Sequence, residues 1–267
     1  MHRYGPMARR VRLRDLPSYG PVIRVIAIRD IRTKYKQSLL GAFWVLGQPL
    51  AFLAAVVIGF GSIVHRPTAG VPYTVFALVG LSAWTYFLAA STMATASLVG
   101  NFHLVRRTQC PRLALPVAGL IANLPQLAIT TGTSVILAAA YGVVSIRLLL
   151  LPVAIAWLLL FTAAVVLTTS SLAVRYRDVA TGLPVAFQLG LFVSPVAYPL
   201  SVLSHTLRTV VSFNPITGMV EAWRWVIVTG PKPDLLPFAV TIGFTFVALV
   251  IGWRTFGRLE VTMADDI

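Results

Sequence analysis

Long apolar runs, separated by short polar and basic segments, dominate the pattern of this chain. A helix that crosses the hydrocarbon core of a bilayer needs about 20 mostly apolar residues. Six segments approach or exceed that length, over 44–64, 73–99, 113–141, 148–174, 183–200 and 235–253. The fifth is the least regular, because Pro195 and Pro199 each remove a backbone hydrogen bond. The pattern predicts an all-α polytopic membrane protein with six transmembrane helices.

The composition supports a membrane protein. The chain has 267 residues, of which 57% are hydrophobic and only 11% charged, with a mean hydropathy of +0.83. Soluble domains carry about 25% charged residues, so an ordinary cytoplasmic enzyme and a disordered protein are both excluded. The net charge of +14 would favour nucleic acid as the partner of a soluble protein. Here the basic residues border apolar spans, so we expect anionic lipid headgroups as the counter-charge and no nucleic acid.

The distribution of basic residues predicts the orientation. If six spans are present, both termini share one side with the loops after spans two and four. That side carries 17 Lys and Arg residues, ten of them within the first 36 positions, whereas the other side carries 5. Because cytoplasmic loops are enriched in Lys and Arg, both termini are predicted to be cytoplasmic, in a multi-pass membrane protein.

Three regions follow from this pattern: a basic cytoplasmic or interfacial arm (1–36), a transmembrane domain (37–260) and a cytoplasmic tail (261–267). In the arm, the apolar stripe changes face after Ile26, which favours a short amphipathic interface helix followed by a turn. A solvated positive-inside tail without a defined shape is the alternative. The residues predicted at headgroup level are Arg24, Arg29, Arg32, Lys34, Tyr35 and Lys36.

The stretch between spans five and six, 201–234, is too polar to cross a membrane and too apolar for a plain loop. Asn214-Pro215 is typical of a helix start, with Asn as the cap and Pro at the first helical position. Glu221 and Arg224 are three residues apart and can pair on one helix face. Trp223 and Trp225 suit a membrane interface, so the pattern predicts a pair of short helices in the outer leaflet.

The sequence places no ionisable residue where catalysis or ion coupling inside the membrane would need one. All eight acidic residues lie at span ends or in loops, and no span has an Asp, Glu, Lys or Arg at its centre. The four histidines are isolated, without metal-ligand spacing, so no metal site or cofactor is expected. A Gly-Lys pair is absent from the sequence, which excludes a phosphate-binding P-loop. The chain is therefore predicted not to be an enzyme, and an intramembrane enzyme acting on polyprenyl-phosphate lipids is disfavoured.

The most specific pattern is the segment from Arg29 to Trp44, followed by Pro49. It contains an Arg-Asp pair, a basic-Tyr-basic triplet, a Ser, a Leu-Gly and a Trp. At this spacing it resembles the N-terminal signature of ABC-2 type permeases that export O-antigen, teichoic acid, capsule and galactan. The similarity continues in the same order through 101–112, Tyr176-Arg177-Asp178-Val179, Ser194-Pro195-Val196 and Phe213-Asn214-Pro215-Ile216.

The resemblance implies a homodimer of this chain, with six helices per subunit, bound to two cytoplasmic ATPase subunits that carry ATP and Mg. It implies export of a lipid-linked polysaccharide, whereas an ABC-2 exporter of a small drug or lipid is the alternative. Arg outnumbers Lys 19 to 3, as in GC-rich bacterial genomes, which makes a galactan-type precursor a compositional hypothesis.

Two sets of site residues follow from the resemblance. The loop 101–112 would form a short helix seated on the ATPase, although ordinary positive-inside charge also explains its arginines. Arg177 and Asp178 would contribute to coupling or would pair with each other at a helix end. The coupling residues are Asn101, Arg106, Arg107, Pro111, Arg112, Arg177 and Asp178. Aromatic side chains are the candidates for lining a substrate channel, because sugar rings can slide along their flat faces. The alternative is that they pack in the core or form a belt at the membrane interface. The candidate residues are Phe43, Trp44, Trp84, Tyr86 and Phe87.

Overall fold

The computed structural model describes residues 19–36, 43–60, 68, 70–101 and 111–259 of the chain. Within these ranges the chain forms ten α-helices, joined by short turns. The helices are α1 (Gly20–Lys36), α2 (Phe43–Phe60), α3 (Tyr73–Gly100), α4 (Ala114–Ala122), α5 (Leu124–Ala140), α6 (Leu151–Arg175), α7 (Arg177–Val193), α8 (His205–Ser212), α9 (Pro215–Ile227) and α10 (Leu235–Leu259).

Four helical segments of this part of the chain are long and apolar enough to cross a membrane. They are α3, α4 with α5, α6 with the 3-10 turn before it, and α10, and they coincide with predicted spans two, three, four and six. The helices α2 and α7, at the first and fifth predicted spans, are shorter, with 18 and 17 residues. The prediction of an all-helical, multi-pass membrane protein is confirmed.

The helix α3 lies at the centre of the bundle. Its most apolar window is 89% buried, compared with 22–44% for the other three long segments. It packs against α2, α4, α5, α6, α7 and α9. Small residues allow this close packing: a Cβ added at Gly119 of α4 would lie 2.9 Å from the Cα of Ala94 in α3, the kind of approach that small residues permit between membrane helices.

The fifth predicted span lies earlier in the sequence than expected. The helix α7 begins at Arg177 and ends at Val193, not near 183 and 200. The chain from 194 to 199 is non-helical, because Pro195 and Pro199 cannot donate the backbone hydrogen bonds that would continue the helix. Pro184 lies inside α7 without ending it.

The predicted turn after Ile26 is wrong, since α1 is one continuous helix of 17 residues. Its inner face carries Ile23, Ile26 and Ala27, which are buried against α4. The same face continues with polar Asp30, which pairs with its neighbour Arg29, and with Lys34, which donates to Asn123 of the bundle. A straight helix suffices because the second half of this face is held by hydrogen bonds rather than by a second apolar stripe.

A second apolar cluster, distinct from the main core, packs the helices together at one end of the bundle. It joins α1 to the end of α3, the start of α4, and the ends of α6 and α10, through residues such as Ile26, Leu98, Leu115, Val174 and Phe256. The opposite end is tied by an isolated antiparallel bridge between Val144 and Val228. The C-terminal ends of α3 and α6 thus lie at the end that α1 covers.

Candidate functional site

A buried arginine organises the end of the bundle opposite α1. The side chain of Arg224, in α9, is only 5% exposed. Its Nη1 donates to the carbonyl of Pro195 (2.6 Å) and to Oε1 of Glu221 (2.9 Å), and its Nη2 donates to the carbonyl of Val196 (2.5 Å). Its Nε donates to the carbonyl of Phe76 in α3 (3.3 Å). We call these five residues the Arg224 cluster.

Local sequence positions α9 for this role. The side chain of Asn214 caps the helix by accepting a hydrogen bond from the backbone N–H of Ile216, and Pro215 follows at the first position, as predicted. The predicted pairing of Glu221 with Arg224 is also confirmed. The Nδ2 of Asn214 donates to Oγ of Ser194, which ties the start of α9 to the end of α7.

The predicted interfacial placement of Trp223 is wrong. Its side chain is 2% exposed, and its Nε1 donates to Oγ of Ser82 in α3 (3.0 Å). An indole can be buried in this way because its one polar hydrogen finds an acceptor in the core. The helix α9 therefore packs into the bundle along this face, next to Arg224.

The electrostatics of the Arg224 cluster are those of a fully satisfied buried cation. The guanidinium lies 3.7 Å from the centre of the Phe76 ring, which adds a cation–π contact. Backbone carbonyls are free to accept because the chain between Val193 and Leu200 is not helical. The cluster fastens this non-helical segment to α3 and α9.

Gly80 of α3 leaves the space that Arg224 occupies, and we expect Gly80→Ala to destabilise the protein. A Cβ at Gly80 would lie 2.5 Å from Nη2 of Arg224 and 2.9 Å from the carbonyl oxygen of Val196. Relieving this overlap must shift a buried, hydrogen-bonded group, and overpacking costs about 1–3 kcal/mol. Thermal unfolding of the purified protein in detergent measures the loss.

Gly243→Ala is the matched control for Gly80→Ala, because a Cβ at Gly243 in α10 meets no atom within 4 Å. Its expected effect is neutral or mildly stabilising, since Ala favours a helix over Gly. Equal melting temperatures for Gly80→Ala and the wild type would contradict the tight packing of the Arg224 cluster.

The opposite end of the bundle carries a second polar group of residues, on α1 and its neighbours. The Nη2 of Arg29 donates to Asp30 (2.7 Å) and to Oδ1 of Asn101 (2.9 Å), the residue that ends α3. The Nδ2 of Asn101 donates to the carbonyl of Ser97 (2.8 Å). The helix α1 is therefore fastened to the point where the chain leaves α3 for the loop 101–112.

Lys34 continues this group and reaches the break between α4 and α5. Its Nζ donates to Oδ1 of Asn123 and to Oε1 of Gln126, at 2.8 Å each. Partial burial lowers the pKa of Lys34 below its ordinary value, and the two amide oxygens compensate the ammonium for the water it loses. The ammonium of Lys34 thus contacts the bundle, although Lys34 as a whole residue is exposed, as are Arg24 and Arg32. The side chains of Tyr35 and Lys36 lie outside the described residues.

Apart from Asn101, which Arg29 binds, the predicted coupling residues fall into three groups. Arg106 and Arg107 lie outside the described residues. Pro111 is half-buried and Arg112 is buried, at the start of α4 and close to α1. Arg177 and Asp178 are exposed in the first turn of α7. Within the described ranges these two make no ion pair with each other, so the alternative of a self-paired helix end is not realised.

Three of the candidate channel aromatics are core residues, which argues against their predicted role. Trp84, Tyr86 and Phe87 are 0–1% exposed in the single chain. Phe87 packs against Trp84, Phe161 and Phe187, with ring centres 4.9–5.8 Å apart. A second subunit can only reduce exposure further, so these rings cannot touch a substrate in this conformation. The side chains of Phe43 and Trp44, in the first turn of α2, lie outside the described residues.

Sequence reasoning named Lys34 and Arg224 but missed the partners of Lys34, Asn123 and Gln126, and the burial of Arg224. Asn123 and Gln126 lie one turn apart in an apolar span, and polar residues inside a span are a recognised functional signal. The buried role of Arg224 has a similar signal, because Arg224 is the one basic residue of α9 and lies between two tryptophans. Among the described residues, no group of His, Cys, Asp and Glu could hold a metal ion.

Comparison with known proteins identifies the family. The model of the ABC-2 type transporter family matches residues 21–228, from α1 to just beyond α9. The O-antigen export system permease protein RfbA of Klebsiella pneumoniae is 24% identical over 243 residues, which cover 90% of this chain and 92% of that protein. RfbA of Myxococcus xanthus is 23% identical over 258 residues, covering 96% and 98%.

A third relative is the polysialic acid transport protein KpsM of Escherichia coli, 23% identical over 239 residues, or 88% of this chain and 92% of that protein. The region that the family model matches includes both polar groups of residues and the helices between them. The similarity therefore extends over nearly the whole length of the chain, as the sequence patterns had predicted. This chain belongs to the ABC-2 type transporter family.

Proposed function

We propose that this chain is the transmembrane subunit of an ATP-driven exporter that moves a lipid-linked polysaccharide across the bacterial cytoplasmic membrane. The observation that carries the proposal is the near full-length similarity to permeases named for O-antigen export and polysialic acid transport. Those names favour a polysaccharide over a small drug. O-antigen, galactan and teichoic-acid chains are the substrate classes proposed.

Six transmembrane helices per subunit are part of this proposal. With a rise of 1.5 Å per residue, α2 and α7 span about 27 and 26 Å. These lengths approach the hydrocarbon thickness of about 30 Å, and a modest local thinning of the bilayer accommodates the difference. If α2 and α7 are counted with the four long segments, the chain has six spans. An even number of spans places α1 and the end of α10 on the same side of the membrane.

Cysteine labelling tests the orientation. Starting from Cys110→Ser, a cysteine at exposed Thr206 in α8 is expected to react with a membrane-impermeant maleimide in intact cells. A cysteine at exposed Thr33 in α1 is expected to react only after the cells are permeabilised, because 17 of the 22 Lys and Arg residues hold its side in the cytoplasm. The reverse labelling pattern would overturn the proposed orientation.

We propose that the ATPase binds the end of the bundle that α1 covers. Arg177 and Asp178 are exposed there, and Arg29 fastens α1 to the beginning of the loop 101–112 through Asn101. A force on that loop would reach α1, α3 and α4 through these contacts. Two ATPase subunits with ATP and Mg would supply the energy, since the chain has no P-loop.

A homodimer is proposed, with the export path between its two subunits. The aromatic core of α3 is filled by its own side chains, so a glycan would pass along a surface between two subunits. The outer face of α7 is apolar and exposed at Val185, Leu189 and Phe192, and it is available for lipid or a second subunit. Phe43 and Trp44, at the start of α2, remain the proposed channel aromatics.

Reconstitution tests the proposed activity. The purified chain and the ATPase that co-purifies with it are placed in proteoliposomes with a fluorescent lipid-linked oligosaccharide from the native cell. We expect ATP to move the oligosaccharide out of reach of an impermeant glycosidase, and we expect no movement without the ATPase or with a variant ATPase that cannot hydrolyse ATP. Movement that is independent of ATP, or ATP-driven movement of small drugs alone, would contradict the proposal.

A further inference from the structure

An apolar groove of about 510 Å³ opens between α6, α9 and α10 at the end of the bundle that holds the Arg224 cluster. Its walls are formed mainly by aliphatic side chains, by Phe238 of α10 and by three tryptophans, Trp157 on α6 and Trp223 and Trp225 on α9. Val153 and Leu235, at its edges, are 66% and 86% exposed. The groove therefore opens sideways, towards the bilayer, and lipid can enter it without crossing the protein.

The rim of the groove is basic. Lys232 lies on it and is exposed. Arg147 lies beside it, with its guanidinium 4.5 Å from the centre of the Trp225 ring. Its Nη2 donates to the carbonyl of Gly230 (3.3 Å), which holds the cation near the turn that carries Lys232.

No described carboxylate neutralises these two cations. The described acidic residues at this end are Glu221 and Asp234, and each is already paired, with Arg224 and with Arg208 respectively. Neither Arg147 nor Lys232 has an ion pair within the described ranges. An apolar trough with two uncompensated positive charges at its rim complements an amphiphile with an anionic headgroup.

We propose that the groove binds one anionic phospholipid of the surrounding membrane, with an acyl chain in the groove and the headgroup at Arg147 and Lys232. Its volume is within the range of pockets for small ligands, about 300–1,000 Å³. This suits a single acyl chain and is too small for a long polyprenyl chain, so the occupant is a membrane lipid and not the carrier of an exported glycan. The site is independent of what the transporter exports.

Fluorescence quenching by brominated lipid tests the site, because tryptophans form part of its walls. The full-length chain, purified and delipidated in detergent, is titrated with phosphatidylglycerol that carries bromine on its acyl chains. We expect saturable quenching that falls sharply in the Trp157→Phe/Trp225→Phe variant, in which the buried Trp223 is the one tryptophan left at the groove. The control Trp253→Phe, at the other end of the bundle, is expected to retain it. Absence of a saturable component, as expected if a second subunit covers the groove, would overturn the proposal.

The headgroup assignment is tested on the wild type, so it does not depend on how the tryptophan variant folds. Each basic residue near a membrane surface contributes about fivefold to binding of anionic lipid. Brominated phosphatidylcholine is therefore expected to bind at least about fivefold more weakly than phosphatidylglycerol. Lys232→Gln is expected to weaken the binding of phosphatidylglycerol about fivefold and to leave the binding of phosphatidylcholine unchanged. Equal affinity for both lipids would overturn the assignment.

Competition distinguishes the two sources of an anionic amphiphile. Unbrominated phosphatidylglycerol is expected to restore the fluorescence that the brominated lipid quenches, and polyprenyl phosphate is expected to compete more weakly. If polyprenyl phosphate displaces the brominated lipid at lower concentration, the groove is a site for the glycan carrier and the proposal of a membrane lipid is wrong.

Discussion

Replacing Arg224 with methionine is expected to destabilise the protein by about 3–5 kcal/mol, the usual cost of breaking a buried ion pair by removing one partner. Methionine fills part of the volume but donates no hydrogen bond. The carbonyls of Pro195, Val196 and Phe76 lose their donor, and Glu221 loses its counter-charge. Lysine is not expected to rescue, because one ammonium cannot reproduce the fork of a guanidinium.

Melting temperature in detergent measures this effect. For a chain of this size, 1 kcal/mol corresponds to roughly 2–4 °C, so the expected loss for Arg224→Met is about 10 °C. Arg208→Met is the matched control, since its ion pair with Asp234 is 46% and 44% exposed and such pairs contribute about 0–1 kcal/mol. Equal shifts for the two variants would contradict the structural role assigned to Arg224.

Changing Arg106 and Arg107 together to glutamate is expected to abolish export while leaving insertion intact. The residues lie outside the described ranges, but the loop that contains them starts at Asn101, which Arg29 holds. Reversing both charges changes the loop by −4 per subunit, and like charges juxtaposed across an interface cost several kcal/mol. That is enough to lose the ATPase or to uncouple it.

A second charge reversal separates coupling from simple positive-inside charge. Arg254→Glu/Arg258→Glu makes the same change near the end of α10, at the same end of the bundle, where both arginines are exposed. We expect this variant to insert and to export, because the basic arm still fixes the topology. Glycan at the cell surface and pull-down of the ATPase are measured for both variants. Normal export by the Arg106→Glu/Arg107→Glu variant would remove the coupling role.

The helices of this protein were predictable because crossing a membrane requires long apolar runs, and such runs are visible in any sequence. Which face of each helix is buried and which faces lipid could not be predicted, because lipid and the protein core are equally apolar. Amphipathicity therefore gives little signal in a membrane helix. Trp84, Tyr86 and Phe87 illustrate this limit, since their hydrophobicity fitted a channel, a belt or a core equally well. Small polar residues on α3, such as Ser82 and Ser91, are the better signal of the buried face.

The polar residues at the two ends of the bundle show a second limit of prediction from sequence. The pairing of Glu221 with Arg224 was predictable because residues three apart share a helix face. The three carbonyl partners of Arg224 were not, since they depend on where α7 ends and on how the chain after Val193 folds back onto α3. Lys34 similarly meets Asn123 and Gln126 across about 90 residues of sequence, a distance at which spacing arguments carry no information.

Depletion of this chain in its native cell tests the central claim most directly. Lipid-linked glycan is quantified on the outer surface and in the cytoplasmic leaflet after the chain is depleted, and again after complementation with the wild type. We expect surface glycan to fall, lipid-linked glycan to accumulate in the cytoplasmic leaflet, and complementation to reverse both. Unchanged surface glycan and no accumulation after verified depletion would contradict the assignment of this chain as a polysaccharide exporter.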